Sequence, residues 1–262
     1  AFDSTTVELC LTLFPWAVFR KAKAGIKMHT SVDVRGSIPS FIRITDAKQH
    51  DVNVLDEIPF EPGAYYLIDR GHLDFGRLYG LGTCGSFFVT RAKKNTLFRR
   101  LYSSPVDKAL GLRSDQRGVL CGVKARNQYP AHIRRVTYRD PKTDKRLCFL
   151  TNSLAIPAID VCKLYKMRWQ VELFFKWVKQ HLRIKRFLGT SQNAVHIQIW
   201  IAIATYTLVA ILIKELRLKK SMYDVLQFLS VSVFEKALII EVFSETVPVI
   251  KPDNHLIQGE LL

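Results

Sequence analysis

The strongest constraint on the fold of this chain is a change in character near residue 153. Short runs of β-branched and apolar residues, separated by turn signals, fill the first 150 residues, whereas apolar residues at helical spacing follow. A strand-rich half followed by a helical half predicts an α/β fold in which helices pack against one sheet. With 262 residues the chain can bury a substantial interior, so we interpret it as one interrupted core rather than two independent domains.

Two features of the first half indicate the centre of the sheet. GIKMHTSVDV (25–34) and FIRIT (41–45) are predicted to pair as an antiparallel hairpin across the turn RGSIPS. AYYLID (64–69) is an apolar run that ends in an acid, which is typical of a buried strand whose tip emerges at a sheet edge. The other elements predicted here are short helices over 50–58 and 73–81 and a strand over 86–93.

Composition divides the chain into four segments. The predicted segments are a first part of the core (1–93), a mostly β insertion (94–150), a helical second part of the core (151–247) and an irregular tail (248–262). The insertion is indicated by β-prone runs that alternate with turn signals such as DPKTD. The second part is expected to be helical to about residue 182 and again over about 193–218 and 221–240.

The stretch YKMRWQVELFFKWVKQHL (165–182) places one carboxylate among cations. On a helix with about 100° per residue, Tyr165, Arg168 and Lys179 lie within about 40° of Glu172, and an apolar face lies beside them. Spacing alone leaves two interpretations open. The stripe is either a solvated face with i, i+4 ion pairs, worth a few tenths of a kcal/mol each, or a functional stripe that acids from elsewhere complete.

Two further acids are candidates to complete the stripe. Asp3 stands in FDSTT at the start of a predicted strand, and Asp69 ends AYYLID before an Arg-Gly turn. Acids at the ends of neighbouring strands, together with one from a packed helix, can converge on a divalent ion, and three carboxylates suit Mg²⁺ or Mn²⁺ rather than zinc. Two such ions can activate the attacking oxygen and stabilise the leaving oxygen of a phosphodiester. Arg168 and Lys179 would then bind DNA phosphates.

Charge and composition narrow the class of partner. With 39 basic and 23 acidic residues the net charge is +16, and the basic residues are spread along the chain, which favours nucleic acid over a membrane surface. Five cysteines without a CxxC spacing argue against a disulfide framework and suit a reducing cytosol. Residues 187–213 carry no formal charge, but polar residues in their first half favour a buried core helix over a transmembrane span.

The residues around these acids resemble the DDE transposases of bacterial insertion sequences, specifically the insertion-sequence-four family. Its signature is Tyr, two residues, Arg, three residues, Glu, six residues and Lys, which this chain matches at Tyr165, Arg168, Glu172 and Lys179. FDSTT, LIDRGHLDF and LFPWAVFRKAKAGIKMHT match as well, so the resemblance covers essentially the whole chain. One departure is His72, where the family usually places Tyr or Phe.

The resemblance implies a fold and a set of residue roles. The fold is an RNase H-like core, a mixed central sheet with flanking helices, interrupted by a β-rich insertion between the second and third acids. The implied catalytic residues, which would hold two Mg²⁺ or Mn²⁺ ions, are Asp3, Asp69 and Glu172. The implied contacts to the transposon end are Tyr165, Arg168 and Lys179.

The resemblance also implies an activity and its setting. The reactions are hydrolysis at the transposon end to expose a 3′-OH and attack of that hydroxyl on target DNA. The expected partners are double-stranded DNA and a second copy of the protein, with no membrane, in a bacterial cytoplasm at the nucleoid. Because relatives carry a DNA-binding region before the first acid and this chain starts two residues before Asp3, we expect an N-terminally truncated protein. The alternatives are a catalytically inactive DNA-binding remnant and a membrane-attached basic protein built on residues 187–213.

Overall fold

A computed structural model of the chain describes residues 1–181 and 187–232. The chain forms two compact units, Ala1–Leu208 and Val209–Leu262, and the second is described only as far as residue 232. The first unit contains the sheet and the candidate site. In the second unit, the end of a long helix leads into one further helix, and Val209, Ala210 and Val225 are buried.

Within the described residues, ten strands form one sheet. Their bounds are β1 (Phe2–Leu9), β2 (Val18–Arg20), β3 (Lys23–Asp33), β4 (Ile38–Asp46), β5 (Tyr65–Ile68), β6 (Phe87–Arg91), β7 (Phe98–Ser104), β8 (Leu112–Leu120), β9 (Ile133–Arg139) and β10 (Arg146–Thr151). The order across the sheet is β2–β3–β1–β5–β6–β10–β9–β8–β7, and β4 also pairs with β3.

Six α-helices lie in the described residues. They are α1 (Phe75–Thr83), α2 (Val123–Gln128), α3 (Ala158–Met167), α4 (Trp169–His181), α5 (Gln192–Glu215) and α6 (Met222–Ser232). Short 3₁₀ turns occur at Pro15–Ala17, Asp51–Glu57 and Arg70–His72. The helix predicted over 50–58 is therefore a 3₁₀ turn, and the part of the 221–240 prediction after residue 232 lies outside the described residues, as does the tail over 248–262.

The sheet is mixed, and its parallel pairings lie at its centre. β5 runs parallel to β6 from Tyr65↔Phe87 and parallel to β1 at Phe2↔Ile68, whereas the other pairings are antiparallel. The predicted hairpin is confirmed, because β3 and β4 pair antiparallel from Ile26↔Asp46 onwards. The parallel contact between β1 and β5 matters most for the site. It places Asp3, which follows Phe2, beside Asp69, which follows Ile68.

Helices cover both faces of this sheet. Leu78 and Leu81 of α1 pack in a buried cluster with Phe88 and Leu150 of the sheet. Phe149, the neighbour of Leu150, contacts the ring of Tyr165 in α3 at 5.0 Å. Because successive side chains of a strand point to opposite faces, α1 and α3 pack on opposite sides of the sheet.

Residues 94–150 are mostly β-structure, as predicted, and they extend the same sheet. They contain β7, β8, β9 and most of β10, and β10 pairs with β6 at Phe149↔Arg91. The short helix α2 interrupts them and was not predicted, because its sequence VKARNQ offers no apolar periodicity. The division into four segments itself stays a prediction.

The long apolar helix α5 is buried along one face only. Its length and composition would allow it to cross a membrane, and 33% of its most apolar window is buried. The buried positions in the first unit are Val195, Ile199, Ala202, Ile203 and Tyr206, and large exposed ones are Ile197, Trp200, Ile201 and Leu208. The prediction of a buried core helix therefore holds for the side of α5 that carries these buried residues, whereas the other side is exposed.

Gly118 in β8 lies too close to β7 to carry a side chain. A Cβ at this position would lie 2.1 Å from the carbonyl oxygen of Arg99 in β7, which is backbone and cannot rotate away. We expect Gly118→Ala to lower the free energy of unfolding by about 1–3 kcal/mol, the usual range for overpacking. The matched control is Gly80→Ala in α1, where nothing lies within 4 Å, and which should raise stability by about 0.5–1 kcal/mol. Urea unfolding of both variants measures the difference, and equal stabilities would contradict the steric argument.

Candidate active site

The first two candidate acids follow paired residues on neighbouring parallel strands. Phe2 of β1 pairs with Ile68 of β5, and Asp3 and Asp69 come next in each chain segment. Asp3 accepts a hydrogen bond from its own strand at the Ser4 N–H (2.8 Å), and Asp69 begins a 3₁₀ turn by accepting from the Gly71 N–H (3.3 Å). Asp69 directly follows the last residue of the apolar strand β5, whereas Asp3 is the second residue of β1.

The third acid comes from a helix pair that packs against this part of the sheet. α3 ends at Met167 and α4 begins at Trp169, with Arg168 between them. The backbone there uses i, i+3 hydrogen bonds, from Arg168 N to Tyr165 O and from Val171 N to Arg168 O, so the single predicted helix is tightened at the arginine. Residues of α4 that are buried against the core are Val171, Phe174, Phe175 and Val178.

Arg168 joins two of the three acids. Its Nη1 donates to Asp3 Oδ2 at 3.0 Å, and its Nη2 donates to Glu172 Oε1 at 2.5 Å. The arginine side chain is only 12% exposed, so the pair with Glu172 is not a solvated helix face. The stripe of residues predicted from helical spacing faces β1. Of the two interpretations left open by the sequence, the solvated face with i, i+4 ion pairs does not describe it.

The two outer signature residues also contact this part of the sheet. Tyr165 donates its hydroxyl to Asp69 Oδ2 at 3.4 Å, and burial raises the pKa of that tyrosine to about 12, so it stays a donor at neutral pH. Lys179 donates its ammonium group to Thr5 Oγ1 and to the Thr6 carbonyl oxygen of β1. All four signature residues therefore lie on one side of α3 and α4, next to β1 and the tip of β5.

Burial and charge act in opposite directions on the acids. Burial raises the pKa of Asp3, and the nearby Asp69 carboxylate raises it further, against the lowering effect of the Ser4 N–H and of Arg168. Burial would also raise the pKa of Asp69, but the Gly71 N–H and the Arg168 guanidinium outweigh it and the pKa is lowered. Desolvation would lower the pKa of Arg168, yet its bond to Glu172 and the charge of Asp3 raise it. The site is a cluster of coupled charges around one arginine.

The donor chemistry of this cluster suits a hard divalent cation. Carboxylate oxygens are the ligands that Mg²⁺ and Mn²⁺ prefer, and Asp3 and Asp69 interact closely enough to repel each other. Across the described ranges, however, no three His, Cys, Asp or Glu side chains are already arranged to hold one ion. The guanidinium of Arg168 stands between Asp3 and Glu172 instead. The chemistry of the three acids fits Mg²⁺ or Mn²⁺, but the carboxylates would have to move closer together to hold such an ion.

His72 is a site residue that sequence reasoning undervalued. Its side chain is buried and packs edge-on against the Phe2 ring at 5.2 Å between centroids. Both ring nitrogens are buried without a hydrogen-bond partner among the described residues. A charge on this imidazole acts to lower the pKa of both Asp3 and Asp69. The available signal was its position three residues after Asp69, at the end of the 3₁₀ turn that the acid caps.

A second polar group lies behind β1 and was not predicted either. Ser4 pairs with His29 of β3, and Lys27 lies two residues from His29 on the same face. Asp51 approaches both, at 3.0 Å from Lys27 Nζ and 3.5 Å from His29 Nδ1. Burial lowers the pKa of His29 to about 4, so the imidazole is neutral at pH 7. This group lies on the face of the sheet opposite to Asp3, because Asp3 and Ser4 are successive residues of β1.

Comparison with known proteins identifies the family of this chain. The model of the transposase DDE domain family matches residues 1–208, the whole of the first unit. A protein of Sinorhizobium fredii named as a transposase, y4zB, is 35% identical over 212 residues, which cover 80% of this chain and 59% of that protein.

Two further relatives are named for insertion-sequence elements. The protein named as transposase for IS5377 of Geobacillus stearothermophilus is 30% identical over 79% of this chain and 54% of its own length. That for IS4SA of Synechocystis is 25% identical over 89% of this chain and 66% of its own length. The chain thus spans between about half and two thirds of the length of these relatives. With the family model matched over most of its residues, the chain belongs to the DDE transposases of the insertion-sequence-four family.

Proposed function

We propose that this chain is the catalytic region of a DNA transposase, which hydrolyses a phosphodiester at the transposon end and transfers the exposed 3′-OH into target DNA. The observation that carries the proposal is the meeting of Asp3, Asp69 and Glu172 around Arg168, although the three acids are far apart in sequence. Family membership supports the same activity. A net charge of +16 suits double-stranded DNA as the partner.

The fold supports an RNase H-like core with an insertion. The parallel strands β1, β5 and β6 at the centre of a mixed sheet, with helices on both faces, are the expected frame. The strands of residues 94–150 fall between the second acid, Asp69, and the third, Glu172, where the family resemblance expects the insertion. In this proposal the core positions the acids and the added strands widen the surface beside them.

The residues divide into those that would hold metal and those that would hold DNA. Asp3, Asp69 and Glu172 would hold two Mg²⁺ or Mn²⁺ ions, which when bound supply Lewis acidity to the attacking and leaving oxygens. Arg168 would bind a phosphate of the transposon end, because its planar fork of donors matches a phosphate as well as a carboxylate. Tyr165, which already donates to Asp69, would contact the transposon end beside that carboxylate.

The proposal extends to Lys179, to a second copy of the protein and to its place in the cell. The contact of Lys179 with DNA stays a prediction, since in this structure its ammonium group is bound to β1. The same proposal includes a homodimer across paired transposon ends, action at the nucleoid in the bacterial cytoplasm and no membrane association.

The direct test is Mg²⁺-dependent nicking of a duplex that carries the ends of the element. Cleavage by the wild-type protein that is abolished by EDTA would support the proposal. Binding of the ends without cleavage under any divalent ion would instead identify an inactive DNA-binding remnant. Recovery of the protein only with detergent would favour the membrane-attached alternative built on α5.

Arg168→Ala is expected to weaken binding to the transposon end and to make it less dependent on salt. A lost phosphate contact removes one released counterion, so the slope of log K against log[salt] should become shallower by about 0.9. The measurement is fluorescence anisotropy across a salt series with Ca²⁺ present, which supports binding without cleavage. Arg43→Ala, which removes an arginine paired with Glu57 at 3.1 Å, is the control. A slope identical to that of the wild type would count against a phosphate contact.

A further inference from the structure

Arg168 lies between two of the acids that would hold a metal ion. Its guanidinium binds one oxygen each of Asp3 and Glu172 and interacts electrostatically with Asp69, and its side chain is 12% exposed. An arginine that served only to bind DNA would be expected to extend into solvent. This one is folded back onto the acids that define the site.

The acids need such a counter-charge before any ion binds. Asp3 is partly desolvated and lies close to Asp69, so the two carboxylates repel each other. One guanidinium that donates from Nη1 to Asp3 of β1 and from Nη2 to Glu172 of α4 offsets part of that repulsion and ties the strand to the helix. The same contacts place a positive charge where a divalent cation would have to approach.

We propose that Arg168 is an internal counter-cation that competes with divalent ions for Asp3 and Glu172, and that ion binding releases its guanidinium to a DNA phosphate. This inference rests on the proposed function and adds a sequence of events to it. A guanidinium and a divalent ion at the same oxygens repel each other, so occupancy by one disfavours the other. Released from the acids, the arginine lies next to the site with its donors unpaired, and a phosphate oxygen is the ligand that can satisfy them.

The first consequence concerns metal affinity without DNA. Removing the competing charge should strengthen the binding of Mn²⁺ by about tenfold, within the range usual for coupling between two ligands of one site. In metal-free buffer, variants in which Arg168 is replaced by an uncharged residue should melt at a lower temperature than the wild type, because the acids lose their counter-charge. Added Mn²⁺ should then raise the melting temperature of the variants more than that of the wild type.

The test is calorimetric titration of Mn²⁺ into the full chain, with melting curves in EDTA and in Mn²⁺. Arg168→Ala removes the side chain, and Arg168→Gln keeps a hydrogen-bond donor without the charge and carries the test if the alanine variant does not fold. The control is Arg77→Ala, since Arg77 also bridges two carboxylates, Asp56 at 2.8 Å and Asp74 at 3.3 Å, but outside the site. Tighter Mn²⁺ binding in the Arg168 variants and unchanged binding in the Arg77 variant support the proposal, and equal or weaker binding in the Arg168 variants overturns it.

Failure of the inference is distinguishable from failure of the proposed function. Asp69→Asn removes one of the three carboxylates without touching Arg168 directly. If Mn²⁺ binding by the wild type does not depend on Asp69, the metal site of the proposed function is itself wrong. If binding depends on Asp69 and yet does not tighten in Arg168→Gln, only the competition by Arg168 is wrong.

The second consequence concerns DNA. For the wild type, the slope of log K against log[salt] should steepen by about one phosphate contact when Ca²⁺ replaces EDTA, because the guanidinium is then free to bind the duplex. In Arg168→Gln the slope should not steepen when Ca²⁺ replaces EDTA, whereas in the Arg77→Ala control, which retains Arg168, it should steepen as in the wild type. A wild-type slope that does not change with Ca²⁺ overturns the release step.

Discussion

Glu172→Gln is expected to reduce Mg²⁺-dependent strand cleavage by about a thousandfold or more while leaving binding to transposon ends intact. Glutamine has the shape of glutamate, and its amide oxygen can still accept the bond from Arg168 Nη2, so the joint between α3 and α4 is retained. What is lost is the negative charge that would hold a cation. An ion supplies several kcal/mol of charge stabilisation to the reaction, and about 4 kcal/mol corresponds to a thousandfold in rate.

The matched control is Glu57→Gln. Glu57 also pairs with an arginine, Arg43, at 3.1 Å, but this pair is exposed and lies away from the acids. Its cleavage rate should equal that of the wild type. Single-turnover cleavage of an end-bearing duplex, together with anisotropy for binding, measures both properties. A Glu172→Gln protein that cuts at the normal rate would remove Glu172 from the set of ligands.

The parts of the fold that sequence predicted are those encoded by local periodicity. The β3–β4 hairpin, the buried strand before Asp69 and the helices after residue 153 each leave a period of two or of 3.6 in the chain. Helical spacing likewise placed Arg168 and Glu172 on one stripe, and the structure retains that relation as an i, i+4 ion pair. Local patterns were sufficient because each of these features involves residues that are near one another in sequence.

The parts that sequence missed depend on pairs that are distant in the chain. Arg168 binds Asp3 across 165 residues and Lys179 binds Thr5 across 174, and no local pattern encodes either partner. The burial of His72 has the same origin, since it depends on Phe2 packing over the ring. The sequence could indicate which side chains carry charge, but whether an arginine faces solvent, DNA or an acid is decided by the tertiary fold.

The largest expected effect on stability lies away from the acids, at Asp115 of β8 and Arg134 of β9. Two hydrogen bonds of 2.8 and 2.7 Å join the carboxylate and the guanidinium, whose side chains are 10% and 5% exposed. Asp115→Asn leaves a buried guanidinium without its counter-charge, and breaking a buried pair in this way costs about 3–5 kcal/mol. We expect the free energy of unfolding, measured by urea denaturation followed by circular dichroism, to fall by that amount.

The contrast with an exposed pair of the same geometry tests the reason for this loss. Arg139 and Asp144 also form two hydrogen bonds, but their side chains are 50% and 73% exposed, so Asp144→Asn should unfold at the same urea concentration as the wild type.

Arg134 has a further role, because its Nη1 donates to the carbonyl oxygens of Ser153 and Ile156, which precede α3. A guanidinium that leaves its buried position to regain water would loosen the start of the helix that carries Tyr165. Asp115→Asn should therefore also weaken Mn²⁺ binding, whereas a stability loss with unchanged Mn²⁺ affinity would show that β8 and β9 act independently of the site.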